Sequence, residues 1–311
     1  MGVVMPPSDG GRDDEDEAGE ALAAGDDDTA ATDRVSGGLV WHSSLRHTLR
    51  LLPPPAGGDS LRILLSSDGD ADDDILPRLP YEAGRSHAGG TGPGQPDARR
   101  LRDPRQVAQT IGLLYRDAEN RYRVTELGIA VRRWLPSLSK ENWPVLGRHA
   151  AYALAACQLR NPTRSGRRYS VGTEVFPFAF IWRAMLGLDG IISSDELNRA
   201  ILRTHDVDTL DEAIHRIKRR RETDGPLDDL GKETVTGVAK NDRLIPWISL
   251  ASFGYLFIQP KDGTGHYRLR PGADRLLTGP SRPGVPHQEF ESSAEYIQYL
   301  SDAACLPKDL R

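Results

Sequence analysis

The stretch IGLLYRDAENRYRVTELG at residues 111–128 recurs in outline as FGYLFIQPKDGTGHYRLRPG at residues 253–272. Each copy has a glycine after an apolar residue, then an apolar segment, a polar turn, and a segment in which tyrosine, arginine and an apolar residue follow one another. A glycine at a helix end can take the left-handed conformation that turns the chain sharply. Two short segments around a polar turn are typical of a β-hairpin. The pattern therefore predicts a helix end, a hairpin and a following helix over residues 111–135 and 253–277.

Arginine occupies the middle of each predicted return strand. Because successive strand side chains point to opposite faces, Arg123 and Arg268 face away from the tyrosine and the apolar residue on either side. Arg121, His266 and Arg270 extend the same basic edges. In the second copy Arg270 replaces a threonine and the turn is longer. These edges are interpreted as a binding surface, with a solvated strand edge as the alternative, since charges also discourage edge pairing.

The repeated pattern resembles winged-helix domains. The first copy carries the match through Leu113-Leu114, Tyr122-Arg123-Val124-Thr125 and Gly128. The resemblance implies a recognition helix in the major groove of DNA, with wings that touch phosphates or the minor groove. Two such units, the Asn161-Pro162 turn and the basic run at 219–221 also look like the recognition regions of some restriction endonucleases. This second resemblance implies a DNA reader of a restriction or antiviral defence system.

The charge of the chain is distributed unevenly. Residues 1–100 hold 19 Asp or Glu against 9 Lys or Arg, whereas residues 101–311 hold 26 against 31. An acidic front with a basic body favours binding of a polyanion, although both regions are also explained by solvation. Residues 1–36, with the acidic run Asp13–Glu17, have too few apolar residues to form a core and are predicted to be disordered.

Helical patterns dominate the remainder of the chain. Apolar periodicity and capping residues predict helices that begin near Pro104 and cover 126–135, 141–160, 174–188, 193–203 and 208–221. The predicted fold class is mainly α with small β-hairpins (α+β), built as two winged-helix-like units behind a disordered acidic segment. The predicted divisions are a disordered tail 1–36, a poorly ordered segment and linker 37–98, a first unit 99–172, a second unit 173–285, and a tail with a short helix 286–311.

Thirteen basic residues form the predicted DNA-binding set. They occupy two hairpin edges, a loop after the 141–160 helix and the carboxyl end of the 208–221 helix, where cations also complement the helix dipole. The set comprises Arg121, Arg123, Arg164, Arg167, Arg168, Arg216, Lys218, Arg219, Arg220, Arg221, His266, Arg268 and Arg270.

Sequence motifs for catalysis are missing from the chain. A restriction-type nuclease needs an Asp and a neighbouring Glu-x-Lys to hold magnesium, and the nearest fragments, around Asp228 and Asp242, have loop-like sequences. We therefore expect no catalytic residues, no metal and no cofactor. Two cysteines and no apolar run of membrane-spanning length favour a cytoplasmic protein without a membrane partner. The expected partner is double-stranded DNA, with a protein partner or a homodimer also open. The alternatives are a protein-docking subunit with winged-helix folds and a divergent metal-dependent endonuclease.

Overall fold

Residues 112–134 form the predicted hairpin and the helix that follows it. Strands β1 (Leu114–Arg116) and β2 (Tyr122–Val124) are antiparallel, with Leu114 opposite Val124. The turn between them closes at Asn120, whose φ of 60° is a left-handed value. The next helix, Glu126–Trp134, begins behind Thr125, whose Oγ1 accepts the N–H of Gly128 at 3.0 Å. The hairpin predicted for the first copy is confirmed.

The structure is a computed structural model. All the residues that it describes lie within one compact unit, residues 37–311. The structure describes residues 41, 62–78, 105, 108–109, 112–134, 143–163, 172–230, 247–248, 250–252, 257–259, 262–281 and 286–304.

A stretch from the predicted poorly ordered segment forms the outer edge of the first hairpin. The N–H of Gly69 donates to the carbonyl of Tyr122 at 2.8 Å, and the N–H of Tyr122 donates to the carbonyl of Asp70 at 2.9 Å. Helix α1 (Asp72–Ile75) and a 3₁₀ turn, Leu76–Arg78, follow directly. Residues 62–78 are thus built into the first hairpin, far before the predicted unit boundary at residue 99.

The second copy also forms a hairpin, and a strand that the sequence did not predict extends it. Ile258 is bridged to Leu269, and the N–H of Arg270 donates to the carbonyl of Phe257 at 2.9 Å. On its other side the return strand β4 (His266–Arg268) pairs with β3 (Ile191–Ser193) in antiparallel register. Helix Ala273–Leu277 follows the hairpin, as predicted.

Helices surround the two hairpins and carry most of the core. Pro177–Gly187 begins at a proline, which is favourable at the first helical position, and eight of its residues are buried. Such all-round burial is typical of a central core helix. The helices and 3₁₀ turns around it are Trp143–Ala156, Ser194–Arg199, Ile201–Arg203, Val207–Thr223, Leu227–Leu230 and Ser293–Ala303. The predicted α+β fold class is confirmed.

Buried tryptophans hold distant parts of the chain together. Trp182 donates its indole N–H to the carbonyl of Ala251 at 2.9 Å, and Trp41 donates to the carbonyl of Thr204 at 2.8 Å. The ring of Trp41 also meets those of Phe180 and Trp247. Trp41 is therefore anchored beside the 201–203 turn. Within the described parts of the chain, no helix has the length and apolarity that crossing a membrane requires.

Candidate functional site

Ten of the thirteen predicted site residues lie in described parts of the chain. Arg164, Arg167 and Arg168 fall outside the described residues. The others divide among the first hairpin, the second hairpin and the carboxyl half of helix Val207–Thr223.

In the first hairpin, Asp117 organises both the turn and an arginine. Its Oδ1 accepts the backbone N–H groups of Glu119 at 3.0 Å and Arg121 at 2.9 Å. Its Oδ2 accepts Nε and Nη2 of Arg123, both at 2.8 Å. The backbone N–H of Arg121, together with these other donors, lowers the pKa of Asp117. Side-chain Nη1 of Arg121 donates to the carbonyl of Gly69 at 2.9 Å, which anchors that arginine to the outer edge.

Asp262 performs the same tasks in the second hairpin. Its Oδ1 accepts the backbone N–H groups of Thr264 at 2.9 Å and His266 at 3.0 Å. Its Oδ2 accepts Nε of Arg268 at 3.2 Å. The Thr264 hydroxyl, the backbone N–H of His266 and Arg268 hold the pKa of Asp262 far below its usual range. The ring of His266 contacts the Thr264 hydroxyl through Nδ1 at 2.8 Å.

The two hairpins are equivalent in detail from the aspartate onwards. In both, the residue three positions after the aspartate has a positive φ, 60° at Asn120 and 87° at Gly265. In both, the arginine follows six positions after the aspartate. The extra residue of the second copy lies before Asp262. In the first copy the residue paired with Val124 is Leu114, three positions before Asp117, whereas in the second copy the residue paired with Leu269 is Ile258, four positions before Asp262. The extra residue therefore lies between Ile258 and Asp262.

The hairpin arginines keep much of their surface in solvent. The side chain of Arg123 is 41% exposed and that of Arg268 is 45% exposed, while the tyrosine before each of them is buried. Arg270 is exposed and forms no side-chain hydrogen bond or ion pair with another described residue. On both return strands a buried tyrosine is followed by an arginine that keeps contact with solvent.

Arg221 and Arg220 turn inward from helix Val207–Thr223. Nε and Nη2 of Arg221 donate to the two carboxylate oxygens of Glu196, both at 2.8 Å, and Nη2 also donates to the carbonyl of Ile191. Arg220 lies 3.5 Å from the same carboxylate. Burial favours a neutral Glu196, but hydrogen bonds from Arg221 and Ser193 outweigh it and lower the pKa of Glu196. These two arginines fasten the end of this helix to helix Ser194–Arg199, which directly follows β3.

The remaining cations of this helix point outward. Lys218 and Arg219 are exposed, and Arg216 is half-buried. None of the three forms an ion pair with another described residue. Burial and the positive charges of Arg199 and Arg216 lower the pKa of Arg203. Arg199 and Arg203 are not in the predicted set, since they precede the basic run at 219–221 in the chain.

The first hairpin carries a second charged cluster that sequence reasoning missed. Asp72 accepts the hydroxyl of Tyr122 at 2.6 Å and Nη1 of Arg105 at 3.1 Å, and it pairs with Arg116. Burial and the hydrogen bond to Asp72 raise the pKa of Tyr122 to about 12. The guanidinium of Arg116 also lies over the Tyr122 ring, 5.3 Å from its centre. Asp72 thus neutralises cations of the first hairpin internally.

The described side chains offer no metal-binding geometry. No group of three or more His, Cys, Asp or Glu residues is arranged there to hold an ion. Asp242, from one of the two nuclease-like fragments, lies outside the described residues.

Comparisons with known proteins give one informative likeness. No protein-family model matches the chain, and no curated protein sequence matches it either. Among solved structures, the chain is similar to the BpuJ1 endonuclease binding domain, which was crystallised in complex with pyrene- and phenanthrene-modified DNA. The TM-score is 0.56 at 11% sequence identity, and the match covers 84% of this chain and 95% of that chain. At this identity the likeness concerns the fold.

Proposed function

We propose that this protein binds double-stranded DNA as a recognition component of a restriction or antiviral defence system. The observation that carries the proposal is the similarity to the BpuJ1 endonuclease binding domain, because it extends over most of both chains and that domain was crystallised with DNA. The outward-facing basic side chains of this chain add an independent argument, since phosphate contacts by Lys and Arg supply most sequence-independent affinity for DNA.

The proposed contact surface has two parts. One consists of the hairpin edges, with Arg121 and Arg123 in the first hairpin and His266, Arg268 and Arg270 in the second. The other consists of Arg216, Lys218 and Arg219 on helix Val207–Thr223, with Arg164, Arg167 and Arg168 as further contacts proposed from the sequence. Arg220 and Arg221 serve this surface indirectly, because their ion pairs with Glu196 hold the helix in place.

The order of elements in the second unit supports a winged-helix assignment. Helix Pro177–Gly187, strand β3, helices Ser194–Arg199 and Val207–Thr223 and the hairpin occur in this order. In the described part of the chain, two 3₁₀ turns and helical residues at 247–248 and 250–252 lie between β3 and the hairpin, and β3 pairs with the return strand of that hairpin. We assign the hairpins as wings that fix position on phosphates, while a helix reads bases in the major groove. The proposed units are those predicted from the sequence, with residues 62–78 added to the first, and the proposed site of action is the cytoplasm.

The proposal is tested by binding of the full-length protein to a fluorescent 20-base-pair duplex at low salt. We expect fluorescence anisotropy to rise with protein concentration to a saturating value. A large excess of an acidic polypeptide serves as a control for simple attraction to polyanions, and we expect it to displace the duplex poorly. Absence of duplex binding at low salt would contradict the proposal and favour a protein-docking role.

A further inference from the structure

We propose that Asp117 and Asp262 are positioning residues, each of which orients the arginine six residues later for contact with a DNA phosphate. This inference rests on the proposed function and assigns a task to two acidic residues beside the hairpin arginines. It concerns how the hairpin arginines are presented to the duplex.

The two oxygens of each aspartate have separate partners. Oδ1 accepts backbone N–H groups and so closes the turn, at Glu119 and Arg121 in the first hairpin and at Thr264 and His266 in the second. Closing a turn in this way requires only one oxygen. In both hairpins Oδ2 binds the arginine, so the turn does not need the bond to the guanidinium in order to close.

The same arrangement occurs twice on different turn sequences. The three residues that follow the aspartate are Ala118-Glu119-Asn120 in one hairpin and Gly263-Thr264-Gly265 in the other. The aspartate and the arginine nevertheless recur at the same spacing with the same type of bond. A chance surface ion pair adds little to stability, so stability alone is a weak reason for both hairpins to have it.

The bond to the aspartate leaves some N–H donors of each guanidinium available to another acceptor. Asp262 engages Nε of Arg268, so neither Nη group is taken by the carboxylate. Asp117 engages Nε and Nη2 of Arg123, so Nη1 is left. A guanidinium is planar and rigid, and a carboxylate that holds one edge fixes the direction of the others. Fixing a long side chain before binding reduces the entropy that binding must remove.

Positioning and simple electrostatics predict opposite results for one substitution. Removing a negative charge next to a phosphate site should tighten binding if charge alone matters. If Asp262 positions Arg268, the same removal should weaken binding, because the arginine is released. Asp262→Asn separates the two effects, since its side-chain oxygen can still accept the backbone N–H groups of the turn while its amide no longer attracts the guanidinium.

The test measures duplex affinity and its salt dependence for full-length variants. For Asp262→Asn we expect affinity to fall roughly three- to tenfold, and the slope of log affinity against log salt to fall by about one. Arg268→Ala should show the same losses, and adding Asp262→Asn to it should change nothing more. Asp117→Asn in the first hairpin provides a second, independent case.

Asp274→Asn is the matched control, because it removes the same charge from an exposed aspartate whose carboxylate accepts no hydrogen bond from a described residue; the Thr278 hydroxyl donates to its backbone carbonyl, which the substitution keeps. We expect its affinity to equal or exceed that of the wild type. If Asp262→Asn and Asp117→Asn behave like Asp274→Asn, or if Arg268→Ala binds like the wild type, the inference is overturned and the proposed function stands. A wild-type protein that does not bind duplex would overturn both. Thermal melting of each variant distinguishes release of the arginine from unfolding of the hairpin.

Discussion

Arg221 donates hydrogen bonds to both carboxylate oxygens of Glu196, from Nε to one oxygen and from Nη2 to the other, each at 2.8 Å. The Glu196 side chain is only 3% exposed, and its other bond is the helix cap to the N–H of Ser193 at 2.8 Å. A single carboxylate thus joins the start of one helix to the end of another. The basic run at the end of helix Val207–Thr223 therefore combines two inward-facing arginines with an outward-facing Arg219.

Replacing Arg221 by Ala should destabilise the protein by about 3 kcal/mol, because it leaves a buried carboxylate largely uncompensated. Urea unfolding monitored by circular dichroism measures this loss. Arg219→Ala, on the same helix but exposed, is the matched control and should change the free energy of unfolding by less than about 0.5 kcal/mol. Adding Glu196→Gln to Arg221→Ala should recover part of the loss. A loss below about 1 kcal/mol for Arg221→Ala would show that the pair does not hold the helix.

The same carboxylate predicts a pH dependence of stability. Since the folded state lowers the pKa of Glu196 below its ordinary value of 4.5, ionised Glu196 stabilises the fold above that pH. This contribution is lost as the pH falls through the lower pKa of the folded state. The difference in unfolding free energy between the wild type and Glu196→Gln should therefore shrink as the pH is lowered from about 6 towards 3. A difference that stays constant over this range contradicts the assignment.

How much of the fold and of the candidate site can be predicted from the sequence depends on how far apart along the chain the interacting residues lie. The hairpins are predictable because turn and strand residues are adjacent, and the Ser193 to Glu196 capping pattern is confirmed for the same reason. The bond between Glu196 and Arg221 joins residues 25 positions apart and leaves no periodic signal. Strand β3 has three residues and pairs about 75 positions later, so neither its length nor its composition indicates it. Trp41 likewise gives no local sign of its partner Thr204.

The equivalence of the two turns predicts which residues position 265 tolerates. Gly265 has a φ of 87°, and its counterpart Asn120 holds a φ of 60°. Asparagine tolerates left-handed backbone, whereas a β-branched residue there is strongly disfavoured. Gly265→Asn should therefore cost under about 0.5 kcal/mol, and Gly265→Val about 2 kcal/mol. Unfolding in urea compares the two variants, and equal losses would mean that the turns are not equivalent.

Two exposed cations of helix Val207–Thr223 should matter for DNA rather than for stability. Replacing Lys218 and Arg219 together by Ala should lower the salt slope of duplex affinity by about two and leave the melting temperature unchanged. Arg78→Ala is the control, because Arg78 already pairs with Asp70 at 2.6 Å and its loss should barely alter duplex affinity. If the double variant binds duplex with the affinity and salt slope of the wild type, this helix end is not part of the proposed contact surface.

The most direct test of the proposed DNA-binding role is the salt dependence of duplex affinity for the full-length wild-type protein. Six residues of the proposed surface are counted as phosphate contacts: Arg123, Arg268 and Arg270 on the hairpins and Arg216, Lys218 and Arg219 on the helix. Arg121 and His266 are left out of the count because their side chains already bind Gly69 and Thr264, and Arg164, Arg167 and Arg168 because they lie outside the described residues. Each neutralised phosphate releases counterions, so log affinity should fall against log salt with a slope of roughly −5. A slope near zero, or no binding even at low salt, would contradict the account.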